Sequence, residues 1–192
     1  MARTESRMLR LGTTAPSFSL PDPDGVLHAL PAAGERRATV VMFICNHCPF
    51  VKHIREALAA LATDYIPLGV AVIAINSNDA ESYPDDSPAS MREEAKRWAY
   101  AFPYLVDEDQ SVAKAYEATC TPDFFVFDSD LALRYRGQLD DSRPGNGKPN
   151  DGYDLRSALD AVLANTPVAT VQRPSIGCNI KWKPGNAPDW AT

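Results

Sequence analysis

The sequence contains no apolar run long enough to cross a membrane. A transmembrane helix needs about eighteen or more consecutive apolar residues, and no segment approaches that length. Residues 1–18 carry basic side chains without the apolar stretch of a secretory signal. The formal net charge is only −6, and the acidic residues are dispersed, which argues against binding to nucleic acid or to an anionic membrane. We therefore expect a soluble, cytoplasmic protein.

Cysteine is scarce, with four residues in a chain of 192. Thiols stay reduced in the cytoplasm, so four cysteines favour catalysis, redox sensing or metal binding over a framework of disulfides. The 45% apolar and 23% charged residues are those of an ordinary globular protein, and the length suits one domain. The sequence has no internal repeat and no low-complexity run. We predict one domain over residues 1–164 that carries an arm over residues 165–192.

The apolar pattern predicts strands that alternate with helices. Residues 39–44 form a continuous run rich in β-branched side chains, as in a strand that is covered on both faces. Apolar residues then recur at spacings of three and four over residues 49–62, which indicates a helix. The same criteria predict further strands at 69–75, 104–106, 124–127 and 131–135, and helices at 87–100, 111–118 and 153–163. This order requires an α/β fold, with a central mixed β-sheet flanked by helices.

The two ends of the chain lie outside this alternation. Residues 1–37 are interrupted by proline and glycine, which favours an irregular N-terminal extension with a small hairpin near residues 18–28. Residues 165–192 contain four prolines, but also apolar and aromatic side chains such as Ile180 and Trp182. Burial of such side chains offsets the entropy that is lost on ordering. We therefore expect an ordered C-terminal arm that packs on the domain in an extended course, without sheet pairing.

The strongest chemical signal is the Cys45-Asn46-His47-Cys48 motif, which stands between the first buried strand and the following helix. A helix N-terminus stabilises a thiolate through its unpaired N–H groups and its dipole. Two cysteines one helical turn apart are close enough to form a disulfide and to exchange it with a substrate. We predict that both are catalytic, with Cys45 as the attacking thiolate and Cys48 as the resolving thiol. The alternatives are half of a zinc site and two ordinary buried cysteines.

At this motif the chain resembles the thioredoxin superfamily, and more closely its redoxin branch, which is related to the alkyl hydroperoxide reductase and thiol-specific antioxidant proteins. The resemblance rests on residues 12–18 (GTTAPSF), the CNHCPF turn, and Thr121-Pro122 before the FFVFD strand. Residues 177–183 (GCNIKWK) also resemble a peroxiredoxin-like subgroup of uncharacterised bacterial proteins. The resemblance implies a thioredoxin-like fold with an insert near residues 77–100. It also implies that Pro122 is a cis-proline that faces the two cysteines.

Four residues are predicted to support the cysteine pair. The resemblance implies that Thr121 and Pro122 form a loop that docks the substrate. His47 is expected to stabilise the Cys45 thiolate, and the alternative is an exposed loop histidine. Cys120, two residues before Pro122, is expected at the rim of the site as an auxiliary thiol, and the alternative is a small buried hydrophobe.

Other positions give weaker signals or depart from the family pattern. Cys178 is predicted to be a buried, inert thiol, and pairing with Cys120 is the alternative. Asn78 and Asp79 follow a strand end on the same side of the sheet as the cysteines, where ligand sites and ordinary polar loops both occur. Residues 39–44 lack the buried acid that relays protons in thioredoxin.

Three functions remain open from the sequence. The first is a thiol–disulfide oxidoreductase, an enzyme that exchanges its dithiol or disulfide with a disulfide-bearing protein or a small thiol and uses a separate reductant. The second is a thiol-dependent peroxidase that uses Cys48, which precedes proline as in peroxiredoxins, although Thr121-Pro122-Asp123 stands where those enzymes carry an arginine. The third is a non-enzymatic metal chaperone, since thiolates beside a histidine suit Cu(I) or Zn. We expect the first function, with no cofactor and no bound metal.

Overall fold

The structure, a computed structural model, describes residues 3–191. Its strands are β1 (Arg3–Glu5), β2 (Ser19–Pro21), β3 (Leu27–Ala29), β4 (Ala38–Phe43), β5 (Val70–Asn76), β6 (Tyr104–Val106), β7 (Cys120–Thr121), β8 (Asp123–Asp128), β9 (Leu133–Gly137) and β10 (Ile176–Asn179). Its α-helices are α1 (Pro49–Tyr65), α2 (Pro88–Arg97), α3 (Ser111–Ala115) and α4 (Tyr153–Leu163). Among the described residues, no helix combines the length and the apolar character that a membrane span requires.

The centre of the protein is a five-stranded mixed sheet in the order β6-β5-β4-β8-β9. β4, β5 and β6 are parallel, whereas β8 runs antiparallel to β4, and β9 runs antiparallel to β8. The parallel strands are joined by crossovers that contain α1 and α2. The predicted central mixed sheet is therefore confirmed.

Both faces of this sheet are covered, because β4 is buried along its whole length. Val40 and Met42 pack in a cluster that includes residues of α1 and α4. Val41 and Phe43 pack on the opposite face, where the ring of Tyr116 lies 5.6 Å from that of Phe43. Successive strand side chains point to opposite faces, so one continuous run supplies both layers.

Two of the helices end earlier than the sequence pattern predicts. The predicted helix at 87–100 starts as expected, because the Ser87 side chain accepts a hydrogen bond from the Ser90 N–H, but α2 ends at Arg97. The predicted helix at 111–118 ends at Ala115. Ala99 and Glu117 adopt positive φ angles of 50° and 49°, which are incompatible with a right-handed helix.

The outer parts of the chain form two smaller sheets. β2 and β3 make the small antiparallel hairpin predicted near residues 18–28. The predicted absence of sheet pairing in the C-terminal arm is wrong, because β10 pairs antiparallel with both β1 and β7. The four prolines lie outside Ile176–Asn179, so this strand keeps the N–H groups that sheet pairing requires. Beyond β10, Ile180 is buried and Trp182 packs beside it.

Candidate active site

The cysteine motif forms the turn between β4 and α1. The helix begins at Pro49, and Cys48 is its N-cap residue, with an extended backbone at φ −67° and ψ 124°. Proline is common at the first helical position because its φ angle is already helical. The N–H that proline lacks would have no hydrogen-bond partner within the helix at this position. The premise that Cys45 stands at the helix entrance is therefore wrong, since the unpaired N–H groups of α1 face Cys48.

Several groups around the sulfur of Cys48 lower its pKa. The thiol of Cys45 has the largest effect, and the thiol of Cys178 and the backbone of Val51 and Cys178 act in the same direction. Burial opposes them, and the net effect is a pKa of Cys48 of about 5, well below that of an ordinary thiol. The sulfur also lies 3.1 Å from the carbonyl oxygen of Thr121, to which the protonated thiol donates. The low pKa favours a thiolate at Cys48.

Cys45 lies in the opposite electrostatic environment. Burial, the hydrogen bond to Cys48 and the nearby carboxylate of Asp86 raise the pKa of Cys45 well above its usual value. The sulfur also contacts the hydroxyl of Thr121 at 3.1 Å. When one of the two cysteines is ionised, the proton therefore stays on Cys45.

The loop before β8 faces both sulfurs, as the family resemblance implied. The Thr121–Pro122 peptide bond is cis, and Thr121 contacts Cys45 through its hydroxyl and Cys48 through its carbonyl. Only 1% of Cys45 and 0% of Cys48 is exposed to solvent. A substrate sulfur therefore reaches the pair only when the surrounding loops move.

A buried carboxylate that the sequence did not reveal holds the motif from the other side. Asp86 accepts hydrogen bonds from the backbone N–H of Asn46 at 2.7 Å and from the side chain of Asn78 at 2.8 Å, and its other contact is His47 Nδ1 at 2.6 Å. Burial raises the pKa of Asp86, but these hydrogen bonds outweigh burial and lower it. Asp86 is therefore an anion inside the insert near residues 77–100.

His47 is not an exposed loop histidine. Besides its bond to Asp86, its ring stacks on Tyr83 with the centroids 5.2 Å apart and an interplanar angle of 16°. Its side chain is 12% exposed. His47 thus contacts the carboxylate that acts on Cys45, so it affects the thiol pair through Asp86.

The two weaker loop candidates separate in the structure. Asn78 bridges Asp86 and the arm, because its side-chain oxygen accepts a hydrogen bond from the Lys181 N–H at 2.8 Å. Asp79 instead accepts hydrogen bonds from Ser82 and Glu81 within its own loop. Only Asn78 belongs to the network around the cysteine motif.

The other two cysteines project to opposite faces of the small sheet formed by β1, β10 and β7. Cys178 pairs with Thr121, and Cys120 pairs with Asn179. Side chains alternate along a pleated strand, so this register directs Cys178 toward Cys48 and Cys120 away from it. Cys120 is fully buried, and its pKa is raised by burial and by the carboxylate of Asp123. The alternative pairing of Cys120 with Cys178 is therefore not supported.

A metal ion would have one candidate set of ligands among the described residues. Cys45, His47 and Asp86 each offer a ligand atom, and these atoms lie within 4.8 Å of one another. Catalytic zinc sites use three such ligands and keep a fourth position open. Here the hydrogen bond of 2.6 Å between His47 and Asp86 already joins two of the three side chains.

A buried acid lies on β8, the strand that pairs with residues 39–44. Asp123 begins β8 opposite Phe43, and one of its oxygens accepts hydrogen bonds from Ser6 and from the Phe124 N–H. The other oxygen is buried without a hydrogen-bond partner among the described residues. Burial raises the pKa of Asp123 to about 7.

We expect Asp123 to make the folded state less stable as the pH rises from about 4 to about 7. The folded protein holds this proton more tightly than the unfolded chain, so unfolding releases it throughout that range. Wild type should therefore lose up to about 4 kcal/mol in the free energy of unfolding between pH 4 and pH 8, and Asp123→Asn should not show this loss. Urea unfolding at both pH values measures the difference, with Asp130→Asn in an exposed turn as the control. Parallel pH curves for wild type and Asp123→Asn would contradict the assignment.

The chain is similar to known proteins in sequence and in structure. The sequence model of the AhpC/TSA family matches residues 11–136. An uncharacterised conserved protein from Geobacillus kaustophilus is 57% identical, with a TM-score of 0.93 over 96% of this chain and 98% of its own. A hypothetical protein from Sinorhizobium meliloti 1021 is 54% identical, with a TM-score of 0.93 over 95% of this chain and 100% of its own. No curated protein matches the chain.

More distant structures establish the fold class. A thiol:disulfide interchange protein of the thioredoxin family from Chlorobium tepidum is 18% identical, with a TM-score of 0.61 over 80% of this chain and 97% of its own. The peroxidoxin BcpB from Mycobacterium tuberculosis is also 18% identical, with a TM-score of 0.58 over 81% and 94%. They confirm the thioredoxin-like fold. The family match supports a thiol redox role. Since that match covers well over half of its residues, the chain belongs to the AhpC/TSA family.

Proposed function

We propose that the protein is a thiol–disulfide oxidoreductase that interconverts a Cys45–Cys48 dithiol and disulfide. The observation that carries this proposal is the meeting of three groups at one point. The thiols of Cys45 and Cys48 shift each other's pKa, and both contact Thr121 directly before the cis-proline Pro122. Two sulfurs in direct contact need little rearrangement to form a bond.

The electrostatics of the pair favour Cys48 as the attacking thiolate and Cys45 as the resolving thiol. The Cys48 thiolate attacks a substrate disulfide, forms a mixed disulfide, and releases one substrate sulfur, which leaves as a thiol after it takes up a proton. Cys45 then loses its proton and attacks the Cys48 sulfur. The second substrate thiol leaves, and the Cys45–Cys48 disulfide remains. This order reverses the roles expected from the sequence, because the helix N-terminus acts on Cys48.

An open cleft beside the motif supports a polar substrate. Its volume is about 940 Å³, it reaches Asn46, and its walls include the charged side chains of Lys52, Arg55, Glu93 and Arg97. Charged walls of both signs suit a polar peptide or a small zwitterionic thiol. We therefore propose a disulfide-bearing protein or a small thiol as the substrate, and a separate reductant that restores the dithiol.

Oxidation of the purified protein tests the proposal. Excess glutathione disulfide should remove two thiols from wild type, and non-reducing peptide mapping should identify a Cys45–Cys48 disulfide. Cys120→Ala should give the same disulfide, because Cys120 projects away from the pair. Wild-type protein that keeps both Cys45 and Cys48 as thiols, or carries only stable glutathione adducts, would refute this function.

Peroxide reduction is the second candidate, and the low pKa of Cys48 at the N-cap of α1 favours it. A Cys48 thiolate would attack the peroxide, become a sulfenic acid and release an alcohol or water; the Cys45 thiol would then form the disulfide and release water. Stopped-flow mixing with hydrogen peroxide separates the two functions. Disulfide exchange as the main activity predicts that glutathione disulfide oxidises the pair faster than an equal concentration of peroxide.

A further inference from the structure

The C-terminal arm brings a third thiol into contact with the cysteine pair. Cys178 lies on β10 directly opposite Thr121, and only 2% of it is exposed. Its thiol and its backbone lie close enough to the sulfur of Cys48 to lower the pKa of that thiol. Cys178 also belongs to the same buried cluster as Cys45 and Cys48. Cys48 is thus the central member of a row of three sulfurs.

The residue before Cys178 makes this approach possible. A Cβ atom on Gly177 would lie 1.9 Å from the carbonyl oxygen of Thr121 and 3.1 Å from the nitrogen of Pro122. Backbone atoms cannot yield to such an overlap, so any side chain here would force β10 away from the loop. Glycine at position 177 therefore lets β10 approach the loop closely enough for Cys178 to lie beside Cys48.

We propose that Cys178 is a second resolving thiol for Cys48, so that the chain holds two alternative disulfides, Cys45–Cys48 and Cys48–Cys178. The proposal rests on the Cys45–Cys48 exchange proposed above. In the internal step, the sulfur of Cys178 attacks the sulfur of Cys48. The bond between Cys45 and Cys48 breaks, the bond between Cys48 and Cys178 forms, and Cys45 leaves with the proton that Cys178 gave up. The step conserves electrons and needs no external oxidant.

Oxidation of Cys48 itself prepares Cys178 for this attack. In the dithiol state, burial and the hydrogen bond to Cys48 raise the pKa of Cys178 to about 12. A disulfide at Cys48 removes the negative charge that Cys178 faces, while the positive charge of Lys181 still favours its thiolate. Cys178 therefore stays protonated and unreactive until Cys48 has been oxidised.

A variant without Cys45 isolates the attack of Cys178 on an oxidised Cys48. Cys45→Ser should react with glutathione disulfide at Cys48, lose the adduct to attack by Cys178, and form a Cys48–Cys178 disulfide that non-reducing peptide mapping identifies. In the matched control Cys45→Ser/Cys178→Ser, the glutathione adduct on Cys48 should last at least about tenfold longer, because the intramolecular attack is lost. Cys45→Ser/Cys120→Ala should still form the new disulfide.

The outcomes separate this inference from the proposed function. A lasting glutathione adduct on Cys48 in Cys45→Ser, equal to that in Cys45→Ser/Cys178→Ser, would overturn the role of Cys178. Wild-type protein that still forms Cys45–Cys48 in that case would leave the proposed function intact. Far-ultraviolet circular dichroism checks that each variant is folded. Replacing Cys178 with alanine instead of serine removes the same thiol and should give the same result.

Discussion

Replacing Cys48 with serine will reduce disulfide exchange by about three orders of magnitude or more, because the variant loses the thiolate that the site stabilises. The low pKa of Cys48 and its place at the N-cap of α1 favour a thiolate at this sulfur. The hydroxyl of a serine side chain is too weak an acid to replace this thiolate. Reduction of insulin disulfides in the presence of dithiothreitol measures the loss.

Cys45→Ser should fail in a different way. Its Cys48 still attacks the substrate, so covalent mixed disulfides should form, and they should accumulate on non-reducing gels in Cys45→Ser/Cys178→Ser, in which Cys178 cannot resolve them. Cys120→Ala is the matched control and should keep the wild-type rate. The roles of Cys45 and Cys48 would be interchanged if Cys48→Ser accumulated mixed disulfides on Cys45 while Cys45→Ser/Cys178→Ser formed none.

Asp86→Ala is expected to have the second largest effect, on stability and on the thiols together. Removing the carboxylate leaves the Asn46 N–H, His47 and Asn78 without their buried partner. A loss of this kind costs about 3 kcal/mol in the free energy of unfolding. Asp85→Ala is the matched control, because Asp85 is exposed and contributes only its backbone carbonyl to Asn46.

The same substitution should change the reactivity of Cys45. The Asp86 carboxylate is one of the causes that raise the pKa of Cys45, so its removal should lower that pKa. In the Cys48→Ser background, iodoacetamide should therefore alkylate Cys45 faster at pH 7 when Asp86 is replaced by alanine than when Asp85 is. Equal alkylation rates at full native structure would show that the carboxylate does not act on Cys45.

Much of the fold could be predicted because its signals are local. The run at 39–44 places Val40 and Val41 on opposite faces of β4 and so indicates a strand covered on both sides. The spacing of three and four over 49–62 indicates α1, whatever the rest of the chain does. Helix ends were less predictable, because the positive φ angles at Ala99 and Glu117 leave no periodic signal.

The residues around the cysteines were predictable only in part. The Cys45–Cys48 motif is local, and the family resemblance placed Pro122 beside it. Asp86 had no such signal, since an aspartate before a predicted helix start is more often a solvated residue than a buried anion. Its role arises because the insert folds back over the motif and removes the carboxylate from water.

The amino-acid sequence alone was enough to establish the α/β class, the cysteine pair and its position between a strand and a helix, since periodicity and motif spacing are properties of neighbouring residues. Tertiary structure was needed to place Cys48 at the N-cap of α1 and Cys178 beside it. Both depend on where α1 begins and on the register of β10 against β7, which bring together groups that are far apart in the chain. A shift of one residue in that register would turn Cys178 away from Cys48.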